Sequence, residues 1–300
     1  MTNTLLTTLR SRPMLAVLYG VTLALGLLVA LPMFSTLTAE DANSLASLQL
    51  LPGFDYTVYS DFMTQSSKAI SPLLRVGRWM GLAYVLLSVF FAGGILYRFV
   101  QPGPSFRMVD FWRASSTYFG RYMRLLGVSV LFVISAGFMW LVIGSLVIMG
   151  VEDSLTERGL FWFGFGFFCL FAVAATLVLC IGDYAKVLMF REDETNAFRA
   201  FGRAAGLVRR NIRATYGRYL LLIAIGAGLF GIYFLLDNLI GMSNWPTIII
   251  MFVVQQAFIV SRVGLKVWNL GVVSEMYGRL NPAHAQIILP TPSSMITLQS

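Results

Sequence analysis

The segment LLGVSVLFVISAGFMWLVIGSLVIM, residues Leu125–Met149, decides the fold because none of its 25 residues carries a charge. A helix needs about 20 such residues to cross a hydrocarbon core about 30 Å thick. Comparable apolar runs recur along the chain. They predict six membrane spans, at residues 14–34, 79–97, 125–149, 160–182, 219–239 and 246–267. The second span has an alternative start near Ile70, and the sixth is expected to continue past Lys266.

The composition indicates the same class of protein. Hydrophobic residues make up 57% of the chain and charged residues 12%, which is about half the charged share of a soluble domain. We therefore predict an all-α polytopic membrane bundle. The net charge of +8 would favour nucleic-acid binding in a soluble protein, but here the basic residues cluster between apolar runs. No nucleic-acid partner is expected.

The distribution of basic residues predicts the orientation of the spans. Four segments hold 18 of the 22 Lys and Arg residues: the amino terminus, residues 98–124, residues 183–218 and the chain from Arg262 onward. The loops on the other side hold Lys68, Arg75, Arg78 and Arg158. Cytoplasmic loops are enriched in Lys and Arg, so this partition predicts cytoplasmic termini and an even number of spans.

The ends and the longest loop carry further expectations. The run at 14–34 exceeds the 7–15 residues of a signal-peptide core, which favours a retained signal anchor, with Ser11 as helix cap and Pro13 near the helix start. Residues 280–300 contain three prolines and predict a flexible tail. Phe54, Val58 and Phe62 predict a short helix, placed either on the outer leaflet or over the bundle.

Two cytoplasmic segments show basic stripes at helical spacing. One stripe contains Arg107, Arg113 and Arg121 opposite Val109 and Trp112, and the other contains Arg199, Arg203, Arg210 and Arg213 opposite Phe201 and Val208. Such patterns predict amphipathic helices lying in the membrane interface. Acidic residues 192–194 precede the second helix, where its dipole favours negative charge. The candidate lipid-phosphate contacts are Arg107, Arg113, Arg121, Arg199, Arg203, Arg210, Arg213 and Arg218.

Both segments end in the same kind of tetrapeptide, FGRY at 119–122 and YGRY at 216–219. The glycine permits a bend or a close contact, the arginine can reach lipid phosphate and the tyrosine can anchor at headgroup depth. We expect an elbow at each site, where an interfacial helix turns into a span. The duplication has two possible explanations, namely repeated helical hairpins or a chance match.

A resemblance adds to this interpretation. FAGGILYRFV at 91–100, FRMVDFWRASSTYFGRYMRLL at 106–126 and GDYAKVLMF at 182–190 resemble segments of uncharacterised bacterial six-helix integral membrane proteins. These are similar in layout to the membrane domain of some glycerophosphodiester phosphodiesterases. The resemblance covers roughly residues 50–225 and implies a bacterial plasma (inner) membrane location. The chain has no phosphodiesterase domain, so that chemistry is not implied.

No constellation of reactive residues is recognisable in the sequence. The one histidine, His284, lies in the tail, and GFGF at 164–167 lies inside an apolar run without a nearby lysine. Cys169 and Cys180 are about 16 Å apart along one helix, too far for a disulfide. We therefore predict no catalytic residue, no cofactor, no metal and no enzyme activity.

Polar residues at membrane depth are the remaining candidates, because they are costly to bury in lipid. These are Asp183, Gln255, Gln256 and Arg262; we expect an ion pair between Asp183 and Arg262, and at least one glutamine facing another helix. Asp237 is expected to reach the headgroups. Closely packed helices are predicted at a larger set of glycines: Gly93, Gly94, Gly164, Gly166, Gly226, Gly228 and Gly231.

Two functions fit these features. The first is a non-catalytic membrane protein, a lipid-interacting or scaffold module, whose basic helices contact membrane lipids, chiefly anionic ones. The alternative is a transporter or an export-system component resembling a permease, in which the glutamines line a water-accessible pathway. The glycine-rich helices leave association into homo- or hetero-oligomers open.

Overall fold

The described part of the chain consists of nine α-helices and contains no strand. The computed structural model describes residues 2–41, 55–100, 107–151, 156–240 and 244–282. We number the helices α1 (Thr2–Arg10), α2 (Arg12–Asp41), α3 (Tyr56–Gln65), α4 (Ser67–Val100), α5 (Met108–Val151), α6 (Glu157–Arg191), α7 (Ala197–Arg210), α8 (Ile212–Leu239) and α9 (Trp245–Leu280). The expected all-α class is confirmed.

Helices α2, α4, α5, α6, α8 and α9 are long and apolar enough to cross a bilayer. The chain is thus a membrane protein with six candidate membrane-spanning helices, and each predicted span lies within one of them. The helices exceed the predicted spans: α5 has 44 residues and is about 66 Å long, twice the thickness of the hydrocarbon core. Helix α9 continues past Lys266 as expected, and α4 begins at Ser67, near the alternative start.

Local side-chain chemistry explains several helix starts. Thr156 Oγ1 accepts a hydrogen bond from Gly159 N at the start of α6, and Asn244 forms a capping box with Thr247 at the start of α9. The expectation that Ser11 caps α2 is wrong, because its hydroxyl donates to Thr7 O at 2.9 Å. Arg98 Nε donates in turn to Ser11 Oγ at 3.1 Å. Pro13 is the second residue of α2, as predicted.

The described chain divides into two compact units. The first unit, residues 12–88, contains α2, α3 and α4 as far as Ser88. Helix α3 confirms the helix predicted in the long loop, and Asp55 Oδ1 accepts a hydrogen bond from Thr57 N at 2.8 Å at its start. Phe54 lies outside the described residues, as does the part of 280–300 beyond Pro282. The second unit contains the described parts of 1–11 and 89–282, that is α1, the end of α4 and α5 to α9.

The second unit buries its side chains at one end of its long helices. Buried residues concentrate in 89–96, 111–128, 180–190, 197–208 and 263–277, which together we call the packed layer. Large apolar side chains are exposed along 130–149, 161–179, 220–239 and 245–260, which we call the apolar band. Only 6–11% of the most apolar windows of α5, α6, α8 and α9 is buried. Packing between protein side chains is thus concentrated outside the most apolar windows of these four helices.

The elbow expected at Gly120 is absent, because α5 passes through FGRY as one continuous helix. Residues 107–124 are therefore not a separate interfacial helix. The buried face of this part of α5 contains Phe111, Ser115 and Tyr122, whereas Val109 and Trp112 are exposed. Tyr122 is 1% exposed and donates to Lys186 O at 3.3 Å, so its side chain packs on α6 within the protein.

The second amphipathic segment does form a separate helix, α7, but the chain breaks at Asn211 and not at Gly217. Its apolar face packs on α5 and α6, with Phe201 stacked on Phe132 at 4.7 Å between ring centroids. Val208 is also buried. The apolar face therefore contacts protein, which corrects the expectation that it lies in lipid.

Close helix approach is confirmed at three of the seven glycines. A Cβ at Gly93 would lie 2.7 Å from Ala114 O, one at Gly94 would overlap the Phe111 ring, and one at Gly226 would lie 3.0 Å from Leu265 Cδ2. The expectation is wrong for the other four, which have no such neighbour within 4 Å: Gly164, Gly166, Gly228 and Gly231. All four lie in the apolar band.

Substituting Gly93 tests the close approach of α4 and α5. We expect Gly93→Ala to lower the free energy of unfolding by about 1–3 kcal/mol, because the added methyl group overlaps a backbone carbonyl. Gly120→Ala is the matched control, since a Cβ there meets nothing within 4 Å. It should leave stability unchanged or raise it by about 1 kcal/mol. Thermal unfolding of the purified protein in detergent measures both; equal effects would contradict the packing.

Candidate functional site

The packed layer and the apolar band meet at one level of the second unit, where polar side chains from several helices come together. A Cβ at Gly182 would lie 3.1 Å from Ser129 Oγ, so α5 and α6 touch there. Asn269 of α9 bonds to Asp183 of α6. Nearby on α6, Thr176 Oγ1 lies 2.9 Å from the Tyr216 hydroxyl of α8. We call this level the polar boundary.

Asp183 is the centre of the polar boundary. Its Oδ1 accepts from Lys186 Nζ at 2.7 Å, and its Oδ2 accepts from Asn269 Nδ2 at 2.8 Å. The side chains of Asp183 and Lys186 are 14% and 26% exposed, so the pair is largely shielded from solvent. The expected ion pair with Arg262 is therefore wrong. The Arg262 guanidinium instead lies over the Phe258 ring, 5.8 Å from its centroid.

A groove of about 550 Å³ runs from the polar boundary into the apolar band between α8 and α9. Its volume is in the range of small-molecule sites. The α8 side contributes Tyr219, Leu222, Ile223, Gly226 and Phe230, and the α9 side contributes Phe258, Arg262, Leu265, Lys266 and Asn269. One end is polar and cationic, and the other is aromatic and aliphatic.

The eight candidate lipid-contacting arginines fall into two groups. Four are paired with carboxylates: Arg107 with Asp110 at 3.7 Å, Arg199 with Glu194 at 3.9 Å, Arg203 with Glu192 at 2.5 Å, and Arg121 with Asp193. The acidic residues 192–194 precede α7, as expected, and they also form ion pairs with arginines of α5 and α7. The other four have no ion pair among the described residues: Arg113, Arg210, Arg213 and Arg218. Lipid contact stays a prediction for both groups.

A second cavity, of about 470 Å³, lies within the packed layer between α6, α7 and α9. Its wall includes Glu192, Arg203, Arg210, Tyr277 and Asn281. The Tyr277 hydroxyl donates to Glu192 Oε1, and Glu192 Oε2 forms the ion pair with Arg203. These contacts join α9 to the end of α6 and to the middle of α7.

The remaining polar candidates lie apart from the polar boundary. Gln255 and Gln256 are both partly buried on α9, and neither lines the groove. Asp237 is partly buried near the end of α8, at the opposite end of the apolar band. His284 lies outside the described residues.

Other chemistry at these sites is limited to free thiols. Cys169 is exposed and Cys180 is buried, and both are free. Among the residues that the structure describes, no three His, Cys, Asp or Glu side chains are grouped as a metal site requires.

Sequence inspection missed Asn269, Lys186 and Tyr277. A signal for Asn269 was available, because it lies three and seven residues after Lys266 and Arg262 and so shares their helical face. No comparable signal identifies the Tyr277–Glu192 contact, since it joins residues 85 positions apart.

Comparison with known proteins provides no assignment: no family model matches the chain, and no curated protein or solved structure is similar to it. The resemblance to the bacterial six-helix proteins therefore stays a prediction.

Removing the charge of Asp183 tests the polar boundary. We expect Asp183→Asn to lower the free energy of unfolding by about 1–3 kcal/mol, because Lys186 loses its counter-ion and Asn269 its charged acceptor. Asp237→Asn is the control, because no contact of Asp237 holds the packed layer together. Thermal unfolding in detergent measures both. If the two variants were equally stable, Asp183 would not be a structural centre.

Proposed function

We propose that this chain is an integral protein of a bacterial plasma (inner) membrane, with both termini in the cytoplasm, acting as a non-catalytic lipid-interacting module. The observation that carries the proposal is the set of arginines without carboxylate partners beside the apolar band. The packed layer would lie at the cytoplasmic face and the apolar band in the bilayer.

The orientation follows from charge. Within the described part of the second unit, Arg158 is the single Lys or Arg at the far end of the apolar band, and the others lie on the side of the band where the packed layer is. Because cytoplasmic segments are enriched in Lys and Arg, this distribution supports a cytoplasmic packed layer. Arg213 and Arg218 lie in the first two turns of α8, and a cytoplasmic packed layer would bring them within reach of the lipid surface.

The lipid partner follows from the same arginines. A Lys or Arg near an anionic membrane surface contributes about 1 kcal/mol of attraction, and the cytoplasmic leaflet is the anionic one. Arg210, Arg213 and Arg218 fall within nine residues at the α7–α8 junction, and Arg210 and Arg213 are exposed. Anionic lipid supplies the counter-charge that these residues do not find within the described chain.

The non-catalytic part of the proposal has structural support. At the polar boundary, Asp183 is held by Lys186 and Asn269, and the Thr176 and Tyr216 hydroxyls bond to each other. Side chains committed to one another in this way connect helices and are poorly placed to act on a substrate. The transporter alternative requires a water-accessible pathway at Gln255 or Gln256, and thiol labelling of cysteines placed there would detect one.

Charge removal at the α7–α8 junction tests the proposal. Anionic phosphatidylglycerol, added to the detergent-purified protein, should raise its melting temperature more than neutral phosphatidylcholine does. Replacing Arg210, Arg213 and Arg218 together by Gln should remove most of that difference. High salt should reduce it in the unmodified protein, since exposed charges are screened.

The matched control replaces Arg199 and Arg203 by Gln. These arginines are paired with Glu192 and Glu194, so their loss should lower the basal melting temperature and reduce the lipid-induced increase much less than the triple variant does. An equal increase with both lipids in the unmodified protein, or full retention of the anionic-lipid increase in the triple variant, would contradict the proposal.

A further inference from the structure

The groove between α8 and α9 is polar at one end and apolar at the other, as a phospholipid is. We propose that it binds one anionic phospholipid, with the phosphate at Arg262 and Lys266 and one acyl chain along the apolar part. This inference rests on the proposed function, because it requires the apolar band to lie in lipid.

The dimensions of the groove match one leaflet. Its lining spans residues 219–230 of α8 and 258–269 of α9, eleven steps along each helix. At 1.5 Å per residue each side is about 16 Å long, close to half of a hydrocarbon core about 30 Å thick. An acyl chain that starts at the polar boundary would therefore follow the groove to about the middle of the bilayer.

The polar end has a net positive charge. Arg262 and Lys266 lie four residues apart on one face of α9, and no acidic side chain lines the groove. The nearby Asp183 carboxylate accepts from Lys186 and Asn269 and also interacts electrostatically with Lys266, so this single negative charge is shared by two lysines. The exposed Arg262 guanidinium lies over the Phe258 ring, and stacking of this kind leaves the edge N–H groups directed outward for a phosphate.

Asn269 provides independent evidence for a ligand at the polar end. Its Nδ2 donates to Asp183, but its Oδ1 is buried and has no hydrogen-bond partner among the described residues. A buried acceptor without a donor is energetically unfavourable. A movement of the Asn269 side chain that exposes Oδ1 to the groove would let the hydroxyl groups of a glycerol headgroup supply the missing donor, while the phosphate binds the two cations.

The apolar part is suited to hydrocarbon. Gly226 forms its floor, since a Cβ there would lie 3.0 Å from Leu265 Cδ2 and the two helices touch. Ile223 is 42% exposed and Phe230 is 58% exposed, so the groove opens sideways within the apolar band. An acyl chain can enter from the bilayer without crossing protein.

Native mass spectrometry of the full-length protein in detergent tests the proposal, with phosphatidylglycerol titrated as the probe. We expect one phosphatidylglycerol to be retained per chain, with phosphatidylcholine bound at least tenfold more weakly and inorganic phosphate unable to compete. Replacing Arg262 and Lys266 by Gln should weaken phosphatidylglycerol binding about tenfold or more. Replacing Arg124 and Arg209 by Gln is the control: both are exposed, lie outside the groove and are not among the candidate lipid contacts, so the single site should stay unchanged.

A second pair of variants examines the acyl end without removing charge. Ile223→Trp fills the groove and should also reduce retention about tenfold. Leu221→Trp places the same ring on an exposed position of α8 that does not line the groove, so it should bind like the unmodified protein. Circular dichroism confirms that each variant keeps its helix content.

Three results would overturn the inference. These are unchanged retention in both groove variants, displacement of the lipid by inorganic phosphate, and a change of oligomeric state in Ile223→Trp, which would identify a second copy as the occupant. The proposed function is tested separately: if the groove variants bind normally while the Arg210, Arg213 and Arg218 variant loses its lipid-induced stabilisation, only the groove inference fails.

Discussion

A charged side chain is costly in hydrocarbon, and this constraint determines where lipid must end along α5, α6, α8 and α9. Each of these helices has an uncharged stretch that exposes large apolar side chains, followed or preceded by a stretch with arginines and buried residues. The four transitions coincide at the polar boundary, where Asp183 joins α6 to α9. The groove, the packed layer and the unpaired arginines all take their positions from this level.

A second consequence of this constraint is that the buried core lies beside the apolar band and not within it. In lipid, apolar side chains gain little by packing on one another, because lipid tails are equally apolar. In the proposed placement the packed layer lies in water, where the hydrophobic effect operates fully, and there α5, α6 and α9 bury aromatic residues such as Phe111, Tyr184 and Tyr277. The second unit is therefore held together in its packed layer, with α7 packed against α5 and α6.

The sequence was sufficient for the number and approximate position of the spans, because the length of an uncharged run and the thickness of a bilayer decide both. It was insufficient for contacts that depend on which face of a helix is turned inward. The FGRY segment illustrates this limit: its aromatic residues fit two neighbouring stripes, and the buried stripe contains Phe111 and Tyr122 instead of Trp112. The partners of Asp183 could not be ranked either, since Lys186, Arg262 and Asn269 all lie near it and only tertiary geometry distinguishes them.

The depth of α5 in a bilayer tests the central claim most directly. Single spin labels at the exposed positions Arg113, Thr117, Leu131 and Phe138, placed in a variant without native cysteines and reconstituted into vesicles, report accessibility to oxygen and to a water-soluble nickel complex. We predict nickel accessibility at Arg113 and Thr117 and oxygen accessibility at Leu131 and Phe138, with the change between Thr117 and Leu131. Oxygen-dominated accessibility at all four positions, or nickel accessibility at Leu131 and Phe138, would contradict the boundary on which this account depends.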